Sequence, residues 1–421
     1  MSTTTVQTQL RNAELTDLVG LLRQQQDVRY DVVASSDRIS YVGGNLVVKD
    51  GATEVLGVNP DGSLAESVTN SILRPTDVFE SGLSERLGIP RQYVRKLREN
   101  AISEAGVNEL IDVPDEIVAN VYADLLDHNV NVWLAADPSR KFLIRGFLAS
   151  GDTEGIARAF LSDRHAQYDN LDMLLAALDG AKRTGVHLDV ISADLSERRM
   201  RVRVACPEIA ALAPTLLANY RSPFDDTDPR RAAALAAHGW LRPDERPVVF
   251  AGFDIGNSET GNGSLSVKPV ITVQACKNGL VINVDAFSRV HLGGRLTEGI
   301  VDWSSDTRKK NIELVAAQTA DAVSQFVSQD FLQAKVDEIE AKAGARIDRP
   351  TETLERVTKQ FGFSETEADL ILADFISGGQ NTAGGVLNAV TSAAQRIEDP
   401  DRANEIELVA LDVFASVAAA N

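Results

Sequence analysis

Three places in the chain carry residues with chemistry to offer. The first is a short stretch holding Asp163, Arg164, His165, Asp169, Asn170 and Asp172. Carboxylates beside a histidine can hold a divalent cation or move a proton. The same residue types have a plainer use, with Asp169 or Asn170 capping a helix and Arg164 pairing with Asp163. That plainer use is the stronger one, so no catalytic residue and no metal ligand is assigned. The second place is a glycine-rich run, in which Gly256, Gly261 and Gly263 alternate with Asn257, Ser258, Glu259, Thr260 and Asn262. Such a loop can turn backbone N–H groups toward a phosphate, with Lys268 nearby. It lacks the terminal Gly-Lys-Ser/Thr and the following helix of a nucleotide-hydrolysing loop, and a turn between two strands explains its glycines. The third is a set of cations: Arg198, Arg199, Arg201 and Arg203 in one segment, and Arg308, Lys309 and Lys310 in another. The remaining histidines, His128, His187, His238 and His291, have no zinc-binding spacing, and neither a GxSxG nor a GxGxxG pattern occurs. No cofactor is expected, and nothing here supports an enzyme.

The elements that must position these groups point to an α+β protein, with a β-β-β-α core unit and an all-helical C-terminal region. Residues 1–60 read as an N-terminal helix, with Leu10, Leu15, Leu18, Leu21 and Leu22 on one face, followed by short strands that turn at Gly43-Gly44 and Asp50-Gly51. Residues 61–221 read as an α+β unit. It opens with a helical pair over 74–100, where Thr76 or Asp77 caps the first helix and Pro90 opens the second. The second helix turns Arg91, Arg95, Lys96 and Arg98 outward, a weak sign of DNA binding that a solvated amphipathic helix also explains. VNVWLAAD and KFLIRGFLAS read as a hairpin around Asp137-Pro138. Farther on, the pleat places Arg199, Arg201 and Arg203 on one face of a strand and Met200, Val202 and Val204 on the other. Three arginines on an exposed sheet face are the expected result.

Residues 222–247 read as a long excursion and the best candidate for a mobile loop. Residues 248–345 read as an antiparallel sheet, with a hairpin at Lys277-Asn278-Gly279, followed by one long helix over 307–343. From 346 to 421 the pattern is helical, broken at Gly362, Gly378-Gly379 and Asp399-Pro400 into four helices.

Composition bounds what such a protein can be. The 421 residues are 44% hydrophobic and 24% charged, enough for a substantial core. Cys206 and Cys276 are the only cysteines, too few for a disulfide framework or a cysteine-rich zinc site, and both read as small buried residues. No secretory signal pattern opens the sequence and no apolar run reaches about eighteen residues. A cytoplasmic protein without membrane contact is expected. The formal net charge of −19 repels nucleic acid over the molecule as a whole, which leaves local gatherings of Lys and Arg as the only route to phosphate.

Three stretches, RAFLSDRHAQYDNLDMLLAAL at 158–178, GNSETGNGSLSVKPVITVQACKNGLVI at 256–282 and TAGGVLNAVTSAAQRIED at 382–399, resemble in order the signature segments of a known family. That family is the domain of unknown function numbered nine-three-two, met in phages, prophages and plasmids. SERLGIPRQYVRKL at 84–97 is similar to its amino-terminal helical motif. The resemblance marks Asp163, Arg164, Asp169, Asn170, Asn257, Ser258, Glu259, Asn278, Gly279 and Asn388 as family-motif positions. It departs where the family's aromatic-rich carboxyl-terminal motif is replaced by Ala393, Ala394 and Gln395. Membership implies mobile-element biology in a bacterial host and no established chemistry.

A sheet followed by a long helix is similar in order to the core of phage single-strand annealing proteins, a likeness of topology and not of site. The leading expectation is therefore binding or annealing of single-stranded DNA, by a homo-oligomer. Arg199, Arg201, Arg203, Lys268, Arg289, Arg295, Arg308, Lys309 and Lys310 would follow the phosphates, and Phe287 or Trp303 would stack on bases. A protein-binding or scaffolding factor engaging a host or phage protein is the alternative. A metal-dependent enzyme using Asp163, His165 and Asp169 is the weakest.

Overall fold

Short local signals set most element boundaries in the computed structural model, which describes residues 7–50, 53–58, 64–68, 70–102, 115–148, 155–218, 220, 248–273, 279–281, 287–289, 299–300 and 304–420. The chain opens with strand β1 (Leu10–Ala13), helix α1 (Leu15–Asp27), β2 (Arg29–Ser35), β3 (Ile39–Val42) and β4 (Asn45–Val48). Gly43 and Gly44, at φ +58° and +76°, make the tight turn between β3 and β4 that only positive φ allows. Next come β5 (Thr53–Val58), β6 (Leu64–Val68), β7 (Ser71–Pro75), α2 (Asp77–Leu87), α3 (Arg91–Ile102), α4 (Asp115–Ala135), β8 (Lys141–Phe147) and β9 (Gly155–Ser162). The Thr76 hydroxyl caps α2 by accepting from Phe79 N, and Gly88 ends the helix in the left-handed region.

The rest comprises α5 (Asn170–Lys182), β10 (Asp189–Leu195), β11 (Met200–Leu212), β12 (Val248–Asn257), β13 (Leu265–Val273), β14 (Gly279–Val281), β15 (Phe287–Arg289) and β16 (Gly299–Ile300). Helices follow: α6 (Ser305–Phe326), α7 (Gln329–Ala343), α8 (Pro350–Phe361), α9 (Glu365–Gly378), α10 (Ala383–Ala394) and α11 (Pro400–Ala420).

The protein is mixed α+β, mostly antiparallel, with a helical C-terminal region. Among the described residues one sheet runs β1-β10-β11-β12-β13-β14, with β15 also on β13; a second runs β16-β2-β8-β9-β7-β4-β3. Within the second sheet β7 and β9 pair in parallel. Met200, Val202, Val204, Phe253 and Ile255 pack on α1, α5 and α6, while Val249, Ala251, Ile271 and Val273 pack on the C-terminal helices. The second sheet buries Tyr41, Leu46, Phe142 and Phe160 against α2, α3 and α4.

Four expectations change. Residues 10–13 pair as a strand with β10, and among the described residues of that region the helix is Leu15–Asp27. Val130 to Ala135 of VNVWLAAD belong to α4, where Leu126, Val130 and Leu134 recur at helical spacing against the second sheet, so the expected hairpin around Asp137-Pro138 is a helix-to-strand turn. The single helix over 307–343 is two, because the Ser328 hydroxyl accepts from Phe331 N and starts a new helix. Finally, strands β15 and β16 stand between the β12-β13-β14 meander and α6. The flanking strands of the Asn278-Gly279 hairpin do pair, Thr272 opposite Gly279; its turn, and the excursion at 222–247, lie outside the described residues. Each sheet also draws strands from across the segment divisions read from the sequence.

Where α5 crosses α6, a Cβ on Gly180 would lie 2.1 Å from the Ala316 carbonyl oxygen. Gly180→Ala must push the two helices apart, and a loss of about 1–3 kcal/mol is expected from overpacking. Urea denaturation of the variant checks it; an unchanged midpoint would contradict this close crossing.

Candidate functional site

The arginines of β11 sit on one face of the strand, as the pleat requires, but that face is covered. Helix α11 lies across it and brings Glu407 to Arg201 (Nη1 to Oε2, 2.5 Å) and Arg203 (Nη2 to Oε2, 2.8 Å). Asp254, opposite Arg203 on β12, accepts from both arginines. Arg203 is 5% exposed and Glu407 3%. Burial alone would raise the Glu407 carboxyl, yet Arg201 and Arg203 outweigh it and hold the group at about 2. Two cations and two carboxylates thus neutralise each other in the interior, and the expected exposed arginine face is absent. Arg201 and Arg203 are structural ions.

Arg199, in contrast, is exposed at the end of β11. It borders a cleft of about 220 Å³ together with Lys268, Ser264, Ser266, Asp401 and Asn404.

Two segments singled out by the family resemblance, 158–178 and 256–282, meet at a second ionic centre, between the two sheets. Arg145 of β8 faces Asp31 of β2 directly, and its guanidinium takes both Asp31 oxygens at 2.9 and 3.0 Å and Asp169 Oδ1 at 2.6 Å. Arg29 also pairs with Asp169. A register shift in the β8-β9 ladder beside Arg145 accompanies Arg158, whose guanidinium lies 4.5 Å from the Phe147 ring centroid and reaches Glu259 Oε2 at 2.9 Å. Glu259 receives Asn170 N at 2.7 Å through its other oxygen, and Asn257 donates to Tyr168 O and Asn170 Oδ1. The glycine-rich loop is therefore a clamp. Ser258 and Thr260 anchor it on the Arg198 carbonyl, and Glu259 plugs it into the other sheet. Burial raises the Asp31 carboxyl despite Arg145, whereas Asp169 is held low because Arg145 and Arg29 outweigh burial.

Other candidates scatter. Asp163 and Arg164 occupy the turn after β9, with Arg164 N donating to the Ser162 hydroxyl. Arg308 pairs with Asp172 at 3.3 Å and Lys310 with Asp306 at 2.7 Å, while Lys309 is exposed. Asn388 is buried in α10 and bonds Leu216 O and Gln380 Oε1. Gly279 opens β14. Arg289 and Phe287 lie in β15, where only the backbone is described; Arg295, Asn278 and Trp303 lie outside the described residues. Among the described residues no continuous cationic track joins Arg199, Arg201 and Arg203 to Arg308, Lys309 and Lys310, because Asp254 and Glu407 neutralise the first group and Asp169 and Asp172 face Arg308. Among the described residues no three or more His, Cys, Asp or Glu side chains gather to hold a metal ion. Burial pushes the Cys206 thiol up to about 12, as suits a core residue.

One further surface is formed by α3 and α4. On α3, Val94 and Leu97 face the core, leaving Arg91, Tyr93, Arg95 and Lys96 exposed. Arg95 pairs with Glu99 and Arg98 with Glu80, while Arg91 and Lys96 form no ion pair among the described residues. Tyr93 Oη meets Asn129 Nδ2 of α4 at 3.4 Å, and Trp133 stands one turn farther along α4. Both rings are open to solvent, Tyr93 at 44% and Trp133 at 47%. The clue in the sequence was the helical recurrence of Leu126, Val130 and Leu134, which puts Trp133 beside Asn129 on a helix flank instead of in a strand.

Among the described residues no helix is long and apolar enough to cross a membrane. No protein-family model matches the chain, and neither a curated protein nor a solved structure shows significant similarity to it.

Proposed function

We propose that the protein binds single-stranded nucleic acid on the surface formed by α3 and α4. The observation that carries this reading is the pair of solvent-open rings, Tyr93 and Trp133, beside Arg91, Arg95 and Lys96. Exposed rings give unpaired bases a stacking surface, worth about 1–3 kcal/mol per base, and neighbouring cations hold the backbone phosphates. Against a net charge of −19, such a local patch is where a polyanion can settle. The resemblance to a mobile-element family supports the same reading, since such elements replicate and recombine through single strands. Annealing would further require two strands to be held by an assembly of copies.

Anisotropy of labelled oligo(dT) tests it. The expected result is binding that weakens steeply with added salt, a loss of about five- to 150-fold in Trp133→Ala, and a loss of about tenfold or more in Arg91→Glu/Lys96→Glu. An oligonucleotide not retained at low ionic strength, or binding indifferent to these changes, would overturn the reading.

A second reading has its own support. Val121, Leu125 and Val132 are also exposed on α4. This apolar stripe is more than base stacking needs and suits a protein partner or a second copy. Association that depends on Val121 and Val132, ignores salt and survives nuclease treatment would favour it over nucleic acid.

A further inference from the structure

Helix α4 has two opposite faces. Leu126, Val130 and Leu134 pack on the second sheet, while Val121, Leu125, His128, Val132 and Ala135 are exposed. At about 3.6 residues per turn the centres of these two sets lie about 180° apart, so the second set follows the outermost line of the helix. A solvated helix carries its charges there. From Val121 to the end of α4 the exposed positions include no Lys, Arg or Glu and one Asp, Asp124, in a chain that is 24% charged.

Spacing adds to composition. Successive members of the outer set stand four, three, four and three residues apart, which is the repeat of a helix seam that meets another helix. Val121, Leu125 and Val132 keep 50%, 41% and 54% of their surface open, so a partner along this line would remove much apolar area from water. Trp133 lies beside the seam, on the flank next to α3, and is left free for another use.

Two features make the partner a second copy of this chain. His128 is the polar member of the seam. In a parallel pair in register it meets its own counterpart, whereas an antiparallel pair or a shifted register sets it against an apolar residue, and a seam selects the pairing that keeps polar with polar. Charge points the same way. On one flank Asn131 holds the edge of β3 and Asp127 holds the Gly43-Gly44 turn, with Asp124 exposed on that side. On the other flank Asn129 reaches Tyr93 of α3, one turn before the exposed Lys96. A parallel pair brings unlike flanks together and turns Asp124 of one copy toward Lys96 of the other. Neither has an ion pair among the described residues.

We propose that two copies of this chain associate through α4 as a parallel two-fold pair, with Leu125, His128 and Val132 at its centre. The inference rests on the second reading of this helix and names its partner. One helix per copy offers less than the roughly 800 Å² per partner of a standard interface, so the pair is reversible.

Sedimentation velocity of the full chain after nuclease treatment, between about 1 and 200 µM, should show a monomer–dimer equilibrium with Kd of about 1–100 µM. Leu125→Glu should raise that Kd about tenfold or more and keep the wild-type melting profile, because the position is open in the monomer. His128→Leu should lower it about fivefold or more. On mild oxidation Leu125→Cys should give a disulfide-linked dimer that the wild type does not, since a parallel pair sets position 125 against itself. A wild-type chain that stays monomeric across the range, a dimer indifferent to Leu125→Glu, or one that Leu125→Cys cannot lock would overturn the proposal. A monomer that instead takes up a different protein through Val121 and Val132 would overturn the second copy and leave the second reading standing.

Discussion

Glu407→Ala should lower the stability of the fold by about 3–5 kcal/mol, the cost of leaving a buried charge without its partner. Arg201 and Arg203 are both desolvated under α11, and in the variant one carboxylate, Asp254, would have to neutralise two guanidinium groups. The loss comes less from a missing attraction than from a cation stranded out of water. Removing charge of both signs together should therefore cost much less: Arg203→Met with Glu407→Leu is expected to recover most of the stability, and urea midpoints of the single and double variants measure the difference. A single variant as stable as the wild type would mean that α11 does not cover this face. The pH dependence has a definite sign. The Glu407 carboxyl is held at about 2 in the fold against an ordinary 4.5, so its contribution is complete above the ordinary value and is lost as pH falls from there toward about 2. Glu407→Gln should flatten the acid limb of the stability profile across that window.

Arg145→Met is expected to be comparably damaging, at about 3–5 kcal/mol. Arg145 is the cation through which Asp31 on β2 and Asp169 before α5 tolerate burial, and its Nη1 also donates to the Glu259 carbonyl at 3.3 Å. Without it, two carboxylates would face each other with Arg29 and the more distant Arg308 to compensate. Arg145→Lys should rescue only a fraction, because an ammonium cannot reproduce the fork that meets both Asp31 oxygens and Asp169 at once. Thermal melts of the two variants decide the matter. Full rescue by lysine would reduce the cluster to simple charge balance.

Much of the local structure could be read from single residues. Thr76 and Gly88 bracket α2; Gly362 and Gly379 end α8 and α9 with positive φ; and Pro400 opens α11. The alternation from Arg199 to Val204 assigned each side chain to its face correctly. Whether that face met water was not legible, since the answer lies in Glu407, some two hundred residues away, and no period in β11 encodes it. The miss at residues 130–135 has a different cause. Val130, Val132 and Trp133 suit a strand by type, and packing of Val130 and Leu134 on the second sheet overrides that preference. The break between α6 and α7 was hidden because apolar spacing continues across it through Val323, Phe326 and Phe331 while a lone serine cap divides it. As for the candidate site, the glycine-rich loop was recognisable as a turn, but its role as a plug depends on Arg158 and Asn170 from another part of the chain. The aromatic surface of α3 and α4 stayed hidden for as long as Trp133 was placed in a strand.

The interleaving of the two sheets bears on how the chain can be made. β1 has to wait for β10, and β2 lies bare along one side until Gly299 and Ile300 arrive to pair with Val32 and Val33. During synthesis, one described sheet cannot complete its ladder before Arg289 has emerged and the other not before Ile300, about seven-tenths of the 421-residue chain. Distant pairings of this kind carry a large loop-closure cost and favour slow assembly with open edges. No single cut between Leu10 and Ile300 leaves both described sheets whole, so the smallest unit able to fold with them complete extends from β1 through β16.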